Sequence, residues 1–316
     1  MDFSSKDKLE GALKRAKKII FGQDEMLESI VAALVCDGHL LIEGMPGLGK
    51  TLSVSTMSKL CDVSFKRIQF TPDLLPSDLI GTMIYSQQNE EFITKFGPIF
   101  TQILLADEIN RSPAKVQSAL LEAMAEKQVT IGEETHKLSS PFVVLATQNP
   151  IDQEGTYRLP EAQMDRFMMK LNIDYPDFAA EKQILDFDKK QSEEIIPLLS
   201  TDILLQAKKA IDGVYVDDKV KEYIVNIVHA TRPGNKKYFK EFEGAILAGA
   251  SPRACIWLYK IAKFNAFMEG RDFVNPEHII KIAAKVLGHR IILSYEATID
   301  KMNAGEMATK IARALI

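Results

Sequence analysis

The sequence is poor in everything that would commit it to a secreted, membrane-spanning or metal-stapled protein. Its 316 residues hold three cysteines, Cys36, Cys61 and Cys255, far apart and without a C-x-x-C partner. Neither a disulfide framework nor a thiolate metal site is indicated, and all three read as buried thiols. The five histidines, His39, His136, His229, His278 and His289, lack a ligand spacing such as H-E-x-x-H, which leaves metal binding by imidazoles without support. The longest apolar runs, such as 99–106, fall short of the ~20 residues a membrane helix needs. The start, Met1-Asp2-Phe3-Ser4-Ser5, has no apolar signal core. No membrane insertion and a cytoplasmic address are the expectation. A net charge of -4, spread over helices of mixed sign, gives no whole-chain field for nucleic acid or an anionic membrane.

What is present is a globular composition, 46% hydrophobic and 26% charged, long enough for one large or two ordinary domains. Up to about residue 176, short apolar or β-branched runs alternate with helical patterns; from 177 to 316 the periodicity is helical almost throughout. The first part predicts strands near 39–43, 67–70, 102–106, 142–147 and 169–173. Their near-continuous apolar character suits a five-stranded parallel sheet covered on both faces. Helices are predicted at 24–36, 50–61 and 113–126, the last with Ser112 as N-cap and Pro113 in its first turn. Between about 71 and 98 the alternation breaks. Leu75-Pro76-Ser77-Asp78, then 82–85 and 91–94 around a polar turn at Gln87-Gln88-Asn89, predict a short helix and a β-hairpin inserted into the α/β part. Tyr175-Pro176-Asp177 closes the fifth strand.

Gly44-Met45-Pro46-Gly47-Leu48-Gly49-Lys50-Thr51 satisfies G-x-x-x-x-G-K-[ST], after an apolar strand and before a helical run. From residue frequencies a chance match arises about once in a hundred chains of this length, before the structural context is applied. The glycines let backbone N–H groups face a β-phosphate, and the helix starting at Lys50 adds favourable dipole charge. Lys50 supplies a point charge to the β- and γ-oxygens, and Thr51 a hydroxyl suited to Mg²⁺. A second apolar run, Ile103-Leu104-Leu105-Ala106, ends in Asp107 and Glu108. Alone, such a pair more often decorates a helix start. Beside a phosphate loop it reads as a metal-shell carboxylate, Asp107, and a base for the attacking water, Glu108.

With these two stretches in place the chain resembles the AAA+ ATPases, specifically the MoxR group, over nearly its whole length. The resemblance is carried by Ile20-Phe21-Gly22-Gln23, the phosphate loop, Leu105-Ala106-Asp107-Glu108-Ile109-Asn110-Arg111, Ala146-Thr147-Gln148-Asn149-Pro150, the run from Arg158 to Phe167, Gly249-Ala250-Ser251-Pro252-Arg253-Ala254 and Ser294-Tyr295-Glu296-Ala297. It implies an αβα P-loop NTPase sandwich with a five-stranded parallel sheet over 1–176, followed by a smaller all-α lid domain over 177–316. ATP or ADP would be held by Phe21, Gly22, Gly44, Pro46, Gly47, Leu48, Gly49, Lys50, Thr51 and Leu52, with Phe21 and Gly22 at the adenine. Mg²⁺ would be held by Thr51 and Asp107. Asn149 resembles the polar sensor that positions water, and Arg166 the arginine finger lent to a neighbouring subunit, with Arg158 a second candidate for that role. Arg253 resembles the second sensor, acting on its own subunit's nucleotide or on a neighbour's.

The same resemblance implies a homo-hexameric ring and a protein client, in this group often one with a von Willebrand factor A domain. The hairpins at 82–94 and 129–136 resemble pore-facing elements. Helicases and chelatase subunits share these insertions, but a nucleic-acid motor wants basic hairpin tips. Gln87-Gln88-Asn89-Glu90-Glu91 and Gly132-Glu133-Glu134 are neutral or acidic. The G-A-F-T-G-A loop of enhancer-binding activators is absent from the insertion. A switch that binds ATP and hydrolyses it slowly is the non-enzymatic alternative; the acid at 108 and the arginine at 166 speak against it.

Overall fold

The structure is a computed structural model describing residues 3–88, 90–149, 157, 159–187, 195–235 and 239–316. These residues form two compact units interleaved in sequence: an α/β unit of 11–159 and 171–202, and a helical unit of 3–10, 160–170 and 203–316.

The α/β unit is built on a parallel sheet of five strands, β1 (Leu40–Gly44), β2 (Phe65–Gln69), β5 (Ile103–Asp107), β8 (Val143–Gln148) and β9 (Met169–Ile173), in the spatial order β2-β5-β8-β1-β9. β8 lies between β5 and β1, with Ile103 opposite Val143 and Leu40 opposite Leu145. The inner strands are apolar at successive positions because both faces are covered: Leu40, Leu41, Ile42, Leu104, Leu105, Val144 and Leu145 are all fully buried. β2, at the edge, exposes Lys66 and Arg67, charges that discourage pairing with another chain. It begins two residues before the predicted run, since its register against β5 starts at Phe65 opposite Ile103.

Helices α1 (Ser4–Ala16) and α2 (Asp24–Cys36) precede β1, α3 (Lys50–Leu60) follows it, and α5 (Ala114–Glu126) follows β5. α5 corrects the predicted cap. Pro113 itself is the N-cap, at φ -57° and ψ 151°. Ser112 is extended and fully buried, with its hydroxyl turned back to the Ile109 carbonyl. A 3₁₀ turn at Ile109–Arg111 has already used the hydroxyl that would have capped the helix. Between β2 and β5 lie α4 (Pro76–Ile80), then β3 (Gly81–Ser86) paired antiparallel with β4 (Glu91–Phe96). A second hairpin joins β6 (Gln128–Ile131) to β7 (Glu134–Lys137). Phe96 stacks edge-on against His136 with centroids 5.0 Å apart, so the hairpins share an aromatic contact.

In the helical unit α9 (Asp218–Ala230), α10 (Pro252–Met268), α11 (Pro276–Leu287) and α13 (Ala304–Ala314) pack around Ile227, Leu258, Ala283 and Ile311. Asp217, Ser251, Asn275 and Asn303 each cap a helix through a side-chain oxygen. The unit also carries a two-stranded ribbon, β10 (Ile246–Ala248) with β11 (Ile292–Leu293). Two and three residues are too few to show an alternation in sequence. All three cysteines are free; Cys36 and Cys61 are buried, whereas Cys255 is half-buried on α10. Burial pushes the Cys61 thiol up to about 12.

Candidate nucleotide site

The strand order sets the site. The carboxyl ends of β1, β8 and β5 adjoin, and each runs straight into polar residues: the glycine loop after β1, Gln148 and then Asn149 at the end of β8, Asp107 and then Glu108 at the end of β5. Ligands of open parallel sheets bind at this edge.

In the loop the glycines serve two different needs. At Gly44 a Cβ would lie 2.8 Å from the Ile173 carbonyl oxygen and 3.0 Å from its Cβ, so β1 and β9 come together only if this position has no side chain. Gly47 and Gly49 have open space around them but take φ of 85° and 73°, which costs an L residue about 1–2 kcal/mol. Positive-φ residues directly before a helix N-terminus form the backbone of an anion-binding concavity. Lys50 opens α3 and donates to the Gly44 carbonyl at 2.7 Å. Burial lowers its pKa, and the charges of Asp107 and Glu108 pull the other way, so all three are within electrostatic reach of one another. Thr51 is half-buried, Leu48 buried and Leu52 exposed; Pro46 is exposed at the loop's crest. Phe21 and Gly22 precede α2, with Gly22 (φ 72°) against Pro176 at the exit from β9.

The acid pair is more elaborately held than its sequence suggests. Glu108 adopts a left-handed backbone, φ 56° and ψ 50°, uncommon for a side chain of its size. That turn ends the strand and separates the two carboxylates. Asp107 accepts from the Thr147 hydroxyl at 2.5 Å and from Arg67 at 2.6 and 3.1 Å. The same Thr147 oxygen accepts from the Glu108 backbone N–H at 2.9 Å. On Glu108, Oε2 accepts from Gln69 at 2.8 Å and Arg111 at 3.0 Å. Sequence reasoning missed Thr147, Gln69, Arg67 and Arg111. Thr147 alone carried a signal, as a polar side chain inside an apolar strand, where a buried hydroxyl needs partners. Its side chain is 1% exposed.

Arg166 and Arg253 lie in the helical unit, Arg166 directly after Asp165 in the chain and Arg253 paired with the Asp165 carboxylate. That carboxylate accepts from the Ser251 hydroxyl at 2.8 and 2.9 Å, from Arg253 at 2.9 Å and from Arg290 at 2.8 Å. Arg253 is about half exposed, while Arg290 is almost wholly buried. Burial pulls the Arg290 pKa down to about 10, against the opposing charge of Asp165, so it remains a cation at neutral pH. Arg290 was not anticipated from sequence. Arg158, Pro150 and Asn89 lie outside the described residues.

Residues 39–169 match the model of the ATPase family associated with various cellular activities (AAA), and 241–311 match the AAA lid domain. Chaperone MoxR1 of Mycobacterium tuberculosis is 44% identical over 295 residues, spanning 93% of this chain and 78% of that protein. Protein MoxR of Methylorubrum extorquens is 26% identical, spanning 94% and 90%. The crystal structure of a candidate ATPase from Cytophaga hutchinsonii superposes with a TM-score of 0.92 at 46% identity, covering 98% of this chain and 94% of that one. By sequence along nearly its full length and by fold, the chain belongs to the MoxR-type AAA+ ATPases.

Proposed function

We propose that this protein hydrolyses Mg-ATP to ADP and phosphate, and uses the cycle to remodel or activate a partner protein in the manner of a chaperone. The observation that carries the reading is the convergence of the phosphate loop, Asp107, Glu108 and Asn149 at the ends of three adjacent strands, with Thr147 joining the two acids.

In this reading the loop backbone and Lys50 hold the β- and γ-phosphate oxygens, and Phe21 and Gly22 border the adenine. Thr51 and Asp107 would hold Mg²⁺ through hard oxygen donors, and the ion would supply positive charge against the phosphates. Asn149 orients a water and Glu108 takes its proton as the water oxygen attacks the γ-phosphorus and the bond to the β-phosphate oxygen breaks. Both donors to the Glu108 carboxylate, Gln69 and Arg111, act on Oε2 and orient it. Arg166, supplied by a neighbouring copy in a homo-hexameric ring, stabilises charge on the transferring group, and Arg253 acts as a second sensor of the nucleotide, its own subunit's or a neighbour's. The client is a protein, with von Willebrand factor A domains the first class to test. The relative named as a chaperone supports this reading. The cysteine usage fits a cytoplasmic protein, and no helix among the described residues is long and apolar enough to cross a membrane.

A nucleic-acid motor is disfavoured by the hairpin tips. Gln87 and Gln88 form the turn of the first, followed by Glu90 and Glu91, and Gly132 and Glu133 form that of the second. None offers a cation to a phosphate backbone.

The decisive experiment pairs two variants. Glu108→Gln should keep ATP binding and lose turnover, whereas Lys50→Ala should weaken binding itself. Wild-type turnover in either variant would sink the assignment. The Glu108→Gln protein, loaded with ATP, then serves as a trap for client identification by pull-down and mass spectrometry.

A further inference from the structure

Arg290 spends most of its guanidinium on one short segment, 165–168. Its side chain is 1% exposed. Nε donates to Asp165 Oδ1 at 2.8 Å, and Nη2 donates to the backbone carbonyls of Asp165 at 2.9 Å and Phe167 at 2.5 Å. Nη1 turns to the Val286 carbonyl on the preceding helix and, at 3.4 Å, to that of Met168. The two carbonyls shared by Nη2 belong to the residues immediately before and after Arg166. The Asp165 carboxylate, held by Nε, is the group that pairs with Arg253 at 2.9 Å and takes the Ser251 hydroxyl at the cap of α10.

One buried cation therefore fixes the backbone from which Arg166 projects and the carboxylate that holds Arg253. A planar fork is needed for this. Lysine offers a point charge with no fixed donor geometry, and could not span two carbonyls and a carboxylate together. The arrangement also explains why an arginine is buried here, since a desolvated cation is tolerated only where its donors are met.

We propose that Arg290 is a positioning residue for ATP hydrolysis: it touches no nucleotide, and sets through Asp165 and the flanking carbonyls where Arg166 and Arg253 can reach. The inference rests on the roles given above to those two arginines. It makes a mechanical link between them, so that a shift of α10 at Ser251 and Arg253 is felt at Arg166 through Asp165.

The test uses the full chain. Arg290→Lys and Asp165→Asn are each made alone and combined with Arg166→Ala, with kcat, KM for ATP, affinity for a fluorescent ADP and the thermal midpoint recorded for all. Asp165→Asn is the safer fold: it keeps an oxygen for Arg290 Nε while removing the charge that pairs with Arg253. The expected result is a kcat lowered about tenfold or more in either single variant, equivalent to about 1.4 kcal/mol, with ADP affinity within about twofold of wild type. In the Arg166→Ala background the same changes should cost several-fold less in kcat than in the wild-type background, because one of the two groups they position is already gone and only the share carried by Arg253 is left. Equal fold losses in both backgrounds, or a wild-type kcat in a folded Arg290→Lys or Asp165→Asn protein, would overturn the inference. A wild-type rate in Arg166→Ala alone would reject the finger reading as well, which separates the two failures.

Discussion

The hydroxyl of Thr147 donates to Asp107 Oδ1 at 2.5 Å while accepting the backbone N–H of Glu108 at 2.9 Å. One buried oxygen on β8 thus orients the first acid by its side chain and the second by its main chain. Thr147→Val preserves the shape and removes both bonds, leaving the Glu108 N–H unpaired. A lost buried bond is worth about 1–3 kcal/mol, so kcat for ATP should fall about 10- to 100-fold. Thr147→Ser should retain activity within about threefold, as the hydroxyl survives. A fully active valine variant would show that the two acids need no support from β8.

The loop glycines should separate in a denaturation experiment. Gly44→Ala drives a methyl against the Ile173 backbone, forcing two strands apart, and should destabilise the α/β unit by about 1–3 kcal/mol. Gly47→Ala meets nothing within 4 Å and carries only the strain of its φ, about 1–2 kcal/mol. Urea unfolding should rank Gly44→Ala as the less stable. Nucleotide affinity should suffer in both.

Stability should fall in mild acid because of His39. It is fully buried, with Nδ1 accepting from the Val144 N–H at 3.0 Å and Nε2 facing the Met124 carbonyl at 3.3 Å. The neutral ring protonated on Nε2 satisfies both, and a second proton would have to displace Val144. Burial lowers the pKa from 6.5 to about 4, with the Met124 carbonyl and Asp37 resisting and nearby Lys127 reinforcing the shift. The sign follows from which state takes the proton. Above pH 6.5 the ring is neutral folded and unfolded, and stability is at its full value. Between 6.5 and about 4 only the unfolded chain is protonated, and stability drops by about 1.4 kcal/mol per pH unit, to a total of about 3 kcal/mol. Chemical denaturation of wild type and His39→Gln from pH 7.5 to 4.5 checks this; the variant should start less stable and lose less. His289 is also buried, with its pKa lowered, so part of the slope should persist.

If Arg166 completes a neighbour's site, two crippled proteins should rescue each other. Arg166→Ala keeps a nucleotide site and lacks the finger, whereas Lys50→Ala keeps the finger and lacks the site. Each alone should be nearly inactive; an arginine of this type contributes about 10³–10⁵ in rate. Mixed, they should regain a measurable fraction of wild-type turnover, and wild-type activity per subunit should rise with protein concentration. Failure of the mixture to exceed the sum of its parts would count against a shared site.

The phosphate loop was legible because its requirements are local: glycine where φ is positive, lysine and threonine at the first turn of a helix, an apolar strand before. So were the acids closing β5 and the hairpin insertion, whose polar turn interrupts two apolar runs. The cap of α5 was misread because Ser112 is claimed by a carbonyl three residues back, a competition that no short pattern displays. The ribbon between β10 and β11 pairs Ile246 with Leu293, 47 residues on, over too few positions to leave a period.

What the sequence by itself determined was therefore the chemistry each segment can offer: a loop with the glycines and lysine to cradle a phosphate, two acids closing a strand, and the asparagine and arginines that the family pattern marks. Only the tertiary structure decided which of these share a partner. Thr147 is 40 residues from Asp107, Gln69 39 from Glu108 and Arg290 125 from Asp165, and nothing along the chain links them. The physical reason is that a parallel sheet joins strands through long crossovers, so residues meeting at its carboxyl edge are neighbours by strand order alone, and a buried arginine's partners are fixed by packing rather than by spacing.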